Sequence, residues 1–210
     1  MDRNNPYEAA FEGYLKAKGL CYVGVDESRR AKLEDLPLKN LDFIVLGNRG
    51  VRLLIDVKGR QFPGGKPERP RYVWENWATQ EDLDGLRSWT GVFGPGYLAL
   101  FLFMYRIGPT VELPGDTLDV FSFRDRQYVL RGVTLDDYVA RMRVRSPKWA
   151  TVNLPTAAYR DVARPFRYFS HELAQESTYD AADAGSQPGG LESAVAALAR
   201  RHPQDAGGRT

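Results

Sequence analysis

The chain has 210 residues, 43% of them hydrophobic and 27% charged, which is the composition of an ordinary soluble globular protein with apolar mass for one core. Lys and Arg number 29 against 27 Asp and Glu, so a formal charge of +2 gives no global basic field, and a polyanion would have to be met by local patches. The single cysteine, Cys21, excludes internal disulfides and a cysteine-zinc site; the two histidines, His171 and His202, lie too late to supply a core histidine for histidine-metal, paired His-Lys or Ser-His-Asp chemistry. No glycine-rich nucleotide loop and no apolar run of membrane-spanning length is present, and the polar start Met1 to Asn5 is unlike a secretion signal. The expected location is cytoplasmic, and carboxylates must carry any chemistry.

A cap residue, a proline at the first helical position and a glutamate three residues after the cap open a helix at Asn5-Pro6-Tyr7-Glu8. Tyr7, Phe11, Tyr14 and Leu15 form its apolar stripe, flanked by Glu8 and Glu12, which are one turn apart and could both project toward the mouth of a sheet. Each acid also has a plain structural role open to it, Glu8 in the capping box and Glu12 on a solvated face. After Gly19, Leu20 to Val25 reads as a strand in which Cys21 packs as a small hydrophobe.

Two apolar strands follow, Leu41-Asp42-Phe43-Ile44-Val45 and Leu53-Leu54-Ile55-Asp56-Val57-Lys58. Asn48-Arg49-Gly50 fits a three-residue turn with Gly50 at the position that needs positive φ. Gly47 then pairs with Val51, and counting back sets Asp42 opposite Asp56. Alternation gathers Asp42, Asp56 and Lys58 on one face and leaves Leu41, Phe43, Val45, Val51, Leu53, Ile55 and Val57 on the other. Opposed like charges destabilise a ladder, and an uncompensated polar group in a buried strand costs on the order of 2 to 7 kcal/mol. A divalent cation between the acids would relieve both penalties. The structural alternative is an Asp56–Lys58 ion pair.

Gly59 to Arg71 is rich in glycine, proline and base, so the strand is expected to stop and a mobile loop to begin. Arg60, Lys66, Arg69 and Arg71, with Tyr72, Trp74 and Trp77 behind them, suit a polyanion with stackable bases; otherwise the aromatics pack back on the body. Thr79 and Asp82 cap a helix running to Phe93, with Leu83, Leu86, Trp89 and Phe93 inward and Gly94-Pro95-Gly96 as its stop. Tyr97 to Tyr105 reads as a fully buried central strand. Leu118 to Phe123 and Gln127 to Arg131 form a hairpin around Arg124-Asp125-Arg126, and Thr134 to Met142 is a helix capped by Thr134 and Asp137.

Arg141, Arg143, Arg145 and Lys148, next to Trp149, make a second basic patch. Its three arginines share a face if extended and fan out if helical. It is either a phosphate-contacting ridge or a charged helix end. From about Glu172 the composition turns to Ala, Gly, Ser, Asp and Gln, which predicts a disordered tail at 172–210 with a short helix at 191–201 behind one domain at 1–171. Helix, hairpin, helix and buried strand together predict an α/β (α+β) sheet with helices on its faces.

An Asp on one strand and Asp56-Val57-Lys58 on the next, behind a helix, resembles the PD-(D/E)XK nucleases, although Lys39-Asn40-Leu41-Asp42 lacks the proline of that name. The run from Glu8 to Gly19 with a strand at once after it is similar to the first helix of archaeal Holliday junction resolvases. Tyr7 to Glu12, Val25 to Arg30, Leu41 to Val45 and Asp56 to Arg60 resemble the bacterial family named for its HYExAFE sequence, with Pro6 in place of the histidine. The resemblance implies a restriction-endonuclease-like core, a central mixed sheet with an antiparallel hairpin between helices. It implies metal-dependent hydrolysis of phosphodiesters, DNA more than RNA, with Mg²⁺ or Mn²⁺ held by Asp42, Asp56, the Val57 carbonyl and Glu8, and it admits a homodimer. Gln80 is a secondary candidate near the metals, as is Glu12. Lys58 would orient the attacking water, and Arg60, Lys66, Arg69, Arg71, Trp74, Arg141, Arg143, Arg145 and Lys148 would meet the nucleic acid. Asp56→Ala or Lys58→Ala is then expected to abolish turnover with the fold intact. The alternative is a nucleic-acid-binding or scaffold protein that keeps the fold without turnover.

Overall fold

The computed structural model describes residues 5–25, 41–66 and 68–172. The expected tail beyond Glu172, its helix at 191–201 and the motif residues at 26–30 and 39–40 lie outside the described residues.

Helix α1, Pro6–Ala17, starts as its sequence dictates: Asn5 accepts a hydrogen bond from the Tyr7 amide, and Pro6 occupies the first turn. Its stripe of Phe11, Tyr14 and Leu15 is fully buried, and each such side chain contributes roughly 1.5–3 kcal/mol of apolar burial. Four strands and a crossover helix then build the sheet's first half: β1 (Cys21–Gly24), β2 (Phe43–Leu46), β3 (Arg52–Phe62), α2 (Gln80–Phe93) and β7 (Tyr97–Ile107). The remaining strands of that sheet are β8 (Val120–Phe123), β9 (Arg126–Thr134) and β12 (Arg164–Pro165). The order is β1-β2-β3-β7-β9-β12, with β8 on β9. All pairings are antiparallel except β3 with β7, which run parallel because α2 carries the chain back across the sheet between them. This is the mixed sheet with an antiparallel hairpin and flanking helices that the sequence predicts.

Both faces are covered. Phe43, Val45, Leu53, Ile55 and Val57 pack with α1 and with Phe166 and Phe169 near the chain's last described turn. On the other face Ile44, Leu54, Phe101, Phe103 and Tyr105 pack under α2, under α3 (Leu135–Arg141) and under α4 (Thr156–Val162). A small sheet lies beside α2, in the order β10 (Arg143–Ser146), β11 (Thr151–Asn153) and β6 (Ala78–Thr79); the hairpin β4 (Gly64–Lys66) and β5 (Arg69–Arg71) stands apart. Among the described residues no helix is long and apolar enough to cross a membrane.

Four expectations need correction. The strand does not stop at Gly59: β3 continues to Phe62 because β7 offers a parallel partner residue by residue, Gly59 to Met104 through Phe62 to Ile107. Beyond Phe62 the expected loop is largely the β4–β5 hairpin. Leu41 lies under the α2 face with Ile44 and Leu54, since the chain leaves the ladder at Asp42 and alternation lapses there. Cys21 is exposed, because β1 is the sheet's edge strand.

Candidate functional site

The hairpin register brings the acids to one place. Leu46 pairs with Arg52, Val45 with Leu53, Ile44 with Leu54 and Phe43 with Ile55, and Gly47 donates to the Val51 carbonyl at 2.8 Å. Phe43 with Ile55 is the last regular pair, and Asp42, the next residue out, lies near enough to Asp56 for its charge to act on that carboxyl. There the backbone departs from a regular ladder: the Asp42 amide donates to the Ile55 carbonyl at 2.9 Å, and the Val57 amide donates to Asp42 Oδ2 at 2.7 Å. A side chain has taken the bond that the strand's backbone would have made. Since the N–H and C=O of one strand residue point to the same edge, the Val57 carbonyl also faces the Asp42 side.

Asp56 and Lys58, two residues apart on β3, share the α2 face. Lys58 Nζ lies 2.8 Å from Asp56 Oδ2 and 3.1 Å from Asp82 Oδ1. Asp56 is 2% exposed. Its Oδ2 is buried with no aligned hydrogen bond, so the contact with Lys58 is an ion pair off hydrogen-bond alignment. Burial pushes the Asp56 carboxyl up to about 8; Lys58 pulls the other way, while the charges of Asp42 and Asp82 add to the rise. Burial favours loss of the Lys58 proton, but Asp56 and Asp82 outweigh it and hold the ammonium above its ordinary range.

Asp82 reads in the sequence only as a helix cap. It is that cap: Thr79 accepts from the Asp82 amide at 3.1 Å, and Asp82 Oδ2 accepts from the Thr79 amide at 2.8 Å. Its second oxygen reaches Lys58. The available signal was the box itself, since a third-position carboxylate in a helix that crosses the sheet points back over the strand ends.

Glu8 arrives from the opposite face. The first turn of α1 sits directly on β3 at Gly59, where a Cβ would lie 2.2 Å from the Tyr7 ring. Glu8 is buried, and its Oε1 accepts from Asn5 Nδ2 at 2.7 Å. Glu12 is held elsewhere, by the Tyr22 hydroxyl at 2.7 Å and Lys16 at 3.0 Å. Gln80 is exposed and donates to Asp84 at 3.0 Å. Among the described residues no three acids, histidines or cysteines are arranged to hold a metal by themselves.

The basic residues divide. Arg60, next on the same face of β3, is turned inward: its guanidinium lies 3.9 Å from the Trp77 ring centroid and donates to the carbonyls of Gly59 and Trp77. Trp74 packs back on the body, stacked on Phe62 at 4.0 Å and edge-on to Tyr105, so it is a half-buried ring packed against the core. Lys66 and Arg69 are exposed on the β4–β5 hairpin, and Arg71 there pairs with Glu75 at 2.6 Å. Arg141 ends α3, whereas Arg143 and Arg145 lie in β10, so the patch is half helical and half extended. Arg145 approaches Trp77 at 5.3 Å, which joins the two basic segments across one indole.

No protein-family profile and no curated protein matches the chain. Among solved structures it is similar to a Holliday junction resolvase, Hjc of the archaeal hyperthermophile Archaeoglobus fulgidus, with 11% identity and a TM-score of 0.47, over 83% of this chain and 97% of that one.

Proposed function

We propose that the protein is a divalent-metal-dependent nuclease that hydrolyses phosphodiesters, DNA in preference to RNA, in the manner of the PD-(D/E)XK enzymes. The observation that carries this reading is the meeting of Asp42 with Asp56-Val57-Lys58 where the pairing of β2 with β3 ends, with Asp42 fixed by the Val57 amide. The donor set fits a hard cation. Two carboxylates and a carbonyl are oxygen ligands of the kind Mg²⁺ and Mn²⁺ take, and the buried Asp56 Oδ2, short of an aligned donor, is the atom with most to gain.

Asp42, Asp56 and the Val57 carbonyl would hold the ion, and Glu8, secured by Asn5 at the first turn of α1, would complete the shell directly or through water. When bound, Mg²⁺ or Mn²⁺ supplies Lewis acidity at the phosphoryl group and acidifies water. Lys58 is placed by Asp56 and Asp82 to hold the attacking water in line and to offset negative charge developing on the phosphate. Asp82 would act by positioning Lys58. The motif resemblance to the HYExAFE family belongs to this reading and adds no substrate.

The test is incubation of the full chain with linear duplex, single-stranded and four-way-junction DNA and with RNA, in Mg²⁺, Mn²⁺ or chelator, beside Asp56→Asn. Cleavage that needs metal and is lost in the variant is expected. Metal-independent binding with no cleavage of any substrate would replace the nuclease by a binding protein of the same fold.

A further inference from the structure

Outside the acid cluster, the stretch from Arg141 to Trp149 carries four cations and no acid in a chain whose formal charge is only +2. Among the described residues no carboxylate pairs with Arg143, Arg145 or Lys148. Trp149 is 69% exposed, and Lys148 rests its ammonium 5.3 Å from the ring centroid. A lone exposed aromatic is ordinary. One held rigidly among uncompensated cations is not.

The rigidity is built from named bonds. Trp149 ends a short 3-10 turn, Pro147–Trp149, closed by the Ala150 amide on the Pro147 carbonyl at 3.2 Å. Ala150, with φ 44°, turns the chain so that its carbonyl accepts from the Gln80 amide at 2.8 Å, and Thr151 pairs with Thr79. The turn is therefore fastened to the first residues of α2, where Asp82 holds Lys58. Arg145 is the extra residue of a bulge, since Val144 pairs with Val152 and Ser146 with Thr151; bulges re-aim side chains, and this one carries Arg145 to Trp77. Trp77's other neighbour, Arg60, lies two residues past Lys58 on the same face of β3. Arg60 and Arg145 thus meet on Trp77, and Lys148 and Trp149 follow Arg145 within four residues of chain.

We propose that the strip Arg143–Trp149 binds a single-stranded segment of nucleic acid, its phosphates on Arg143, Arg145 and Lys148 and one unpaired base stacked on Trp149. Charge selects a polyanion, and an open indole face selects an unstacked base, because a duplex keeps its base faces covered. This deepens the nuclease reading and rests on it: the favoured substrate carries an unpaired stretch beside the scissile bond.

The test is fluorescence anisotropy of the full chain in chelator with a labelled oligothymidylate and with a blunt duplex of equal length, for the native chain, Trp149→Ala, Trp149→Phe and Arg143→Ala. Trp149→Ala is expected to weaken the single strand on the order of tenfold and leave the duplex unchanged, with Trp149→Phe restoring most of the affinity. Arg143→Ala is expected to lower the slope of log affinity against log salt by about 0.7 for the single strand. Equal affinity of native chain and Trp149→Ala for the oligothymidylate, equal losses on both ligands, or no binding by the native chain overturns the strip. Metal-dependent cleavage is scored separately: a chain that cuts DNA but binds the oligothymidylate without Trp149 loses this proposal alone, and one that binds through Trp149 but cuts nothing loses the nuclease alone.

Discussion

Replacing Asp56 by asparagine separates a metal-poised acid from a structural ion pair. The folded chain keeps a proton on Asp56 up to about pH 8, whereas the unfolded chain releases it near 3.8. The folded state therefore binds the extra proton, its advantage is fully present below the unfolded value, and it is lost as pH rises toward the folded one. Each pH unit in that window is worth on the order of 1 kcal/mol, and Asp56 is too buried for solvent to screen it away. Between pH 5 and 7 the native chain should lose roughly 2 kcal/mol that Asp56→Asn does not lose, about 4–8 °C in melting temperature for a domain of this size. Thermal melts of the two proteins in chelator at pH 5, 6 and 7 measure the divergence, and Mg²⁺ or Mn²⁺ should narrow it by stabilising only the native chain. An Asp56→Asn protein that is instead several degrees less stable at pH 7 would show that Asp56 is charged and satisfied by Lys58, and the metal reading would fail.

Gly59→Ala drives a methyl into the Tyr7 ring; a loss of about 1–3 kcal/mol is expected, with weaker cleavage as the turn bearing Glu8 is displaced, and denaturant titration beside activity measures both. Lys58→Ala, which the sequence alone suggests is harmless to the fold, withdraws the ammonium in contact with Asp56 and Asp82; the expected cost at neutral pH is about 1–3 kcal/mol, and a chain as stable as the native one in denaturant would refute the pairing. Thr79→Ala removes the cap acceptor at the start of α2 and should cost about 1 kcal/mol while loosening Asp82, seen as lower turnover with little change in KM. Arg60→Lys gives up the guanidinium contact over the Trp77 ring and should lower the melting temperature measurably where Lys66→Arg, at an exposed hairpin position, does not.

The hairpin was legible because its determinants are local. Gly50 fixes the turn, alternation fixes the faces, and both agree on one register. What escaped depends on partners far along the chain. Gly59 reads as a strand breaker until β7 is seen to pair through it and Tyr7 to fill the space beside it. Leu41 reads as continuing an alternation that ends once Asp42 turns its own carboxylate on the Val57 amide. Composition around Trp74, Trp77 and Trp149 is the same mixture of base and aromatic, yet one ring packs against the core, one meets two arginines and one is exposed. Only the packing of Phe62 and Tyr105 decides the first, and only the bulge at Arg145 decides the second.

The same packing bears on whether the acids serve chemistry or stability. A pair kept for stability would be expected to align its hydrogen bonds, because desolvating two charges is repaid only with good geometry. Here Asp56 Oδ2 is buried in a close but poorly aligned contact, and Lys58 divides itself between Asp56 and Asp82. Asp42 meanwhile interrupts a strand ladder that Leu41 could have continued. Hydrophobic residues of similar size at these positions would extend the ladder and remove every one of those penalties. An arrangement that carries those penalties points to a role the folded chain alone does not need, and holding a hard cation, as proposed, would supply one. If replacing Asp56 and Lys58 together by apolar residues left both stability and cleavage unchanged, that inference would be wrong.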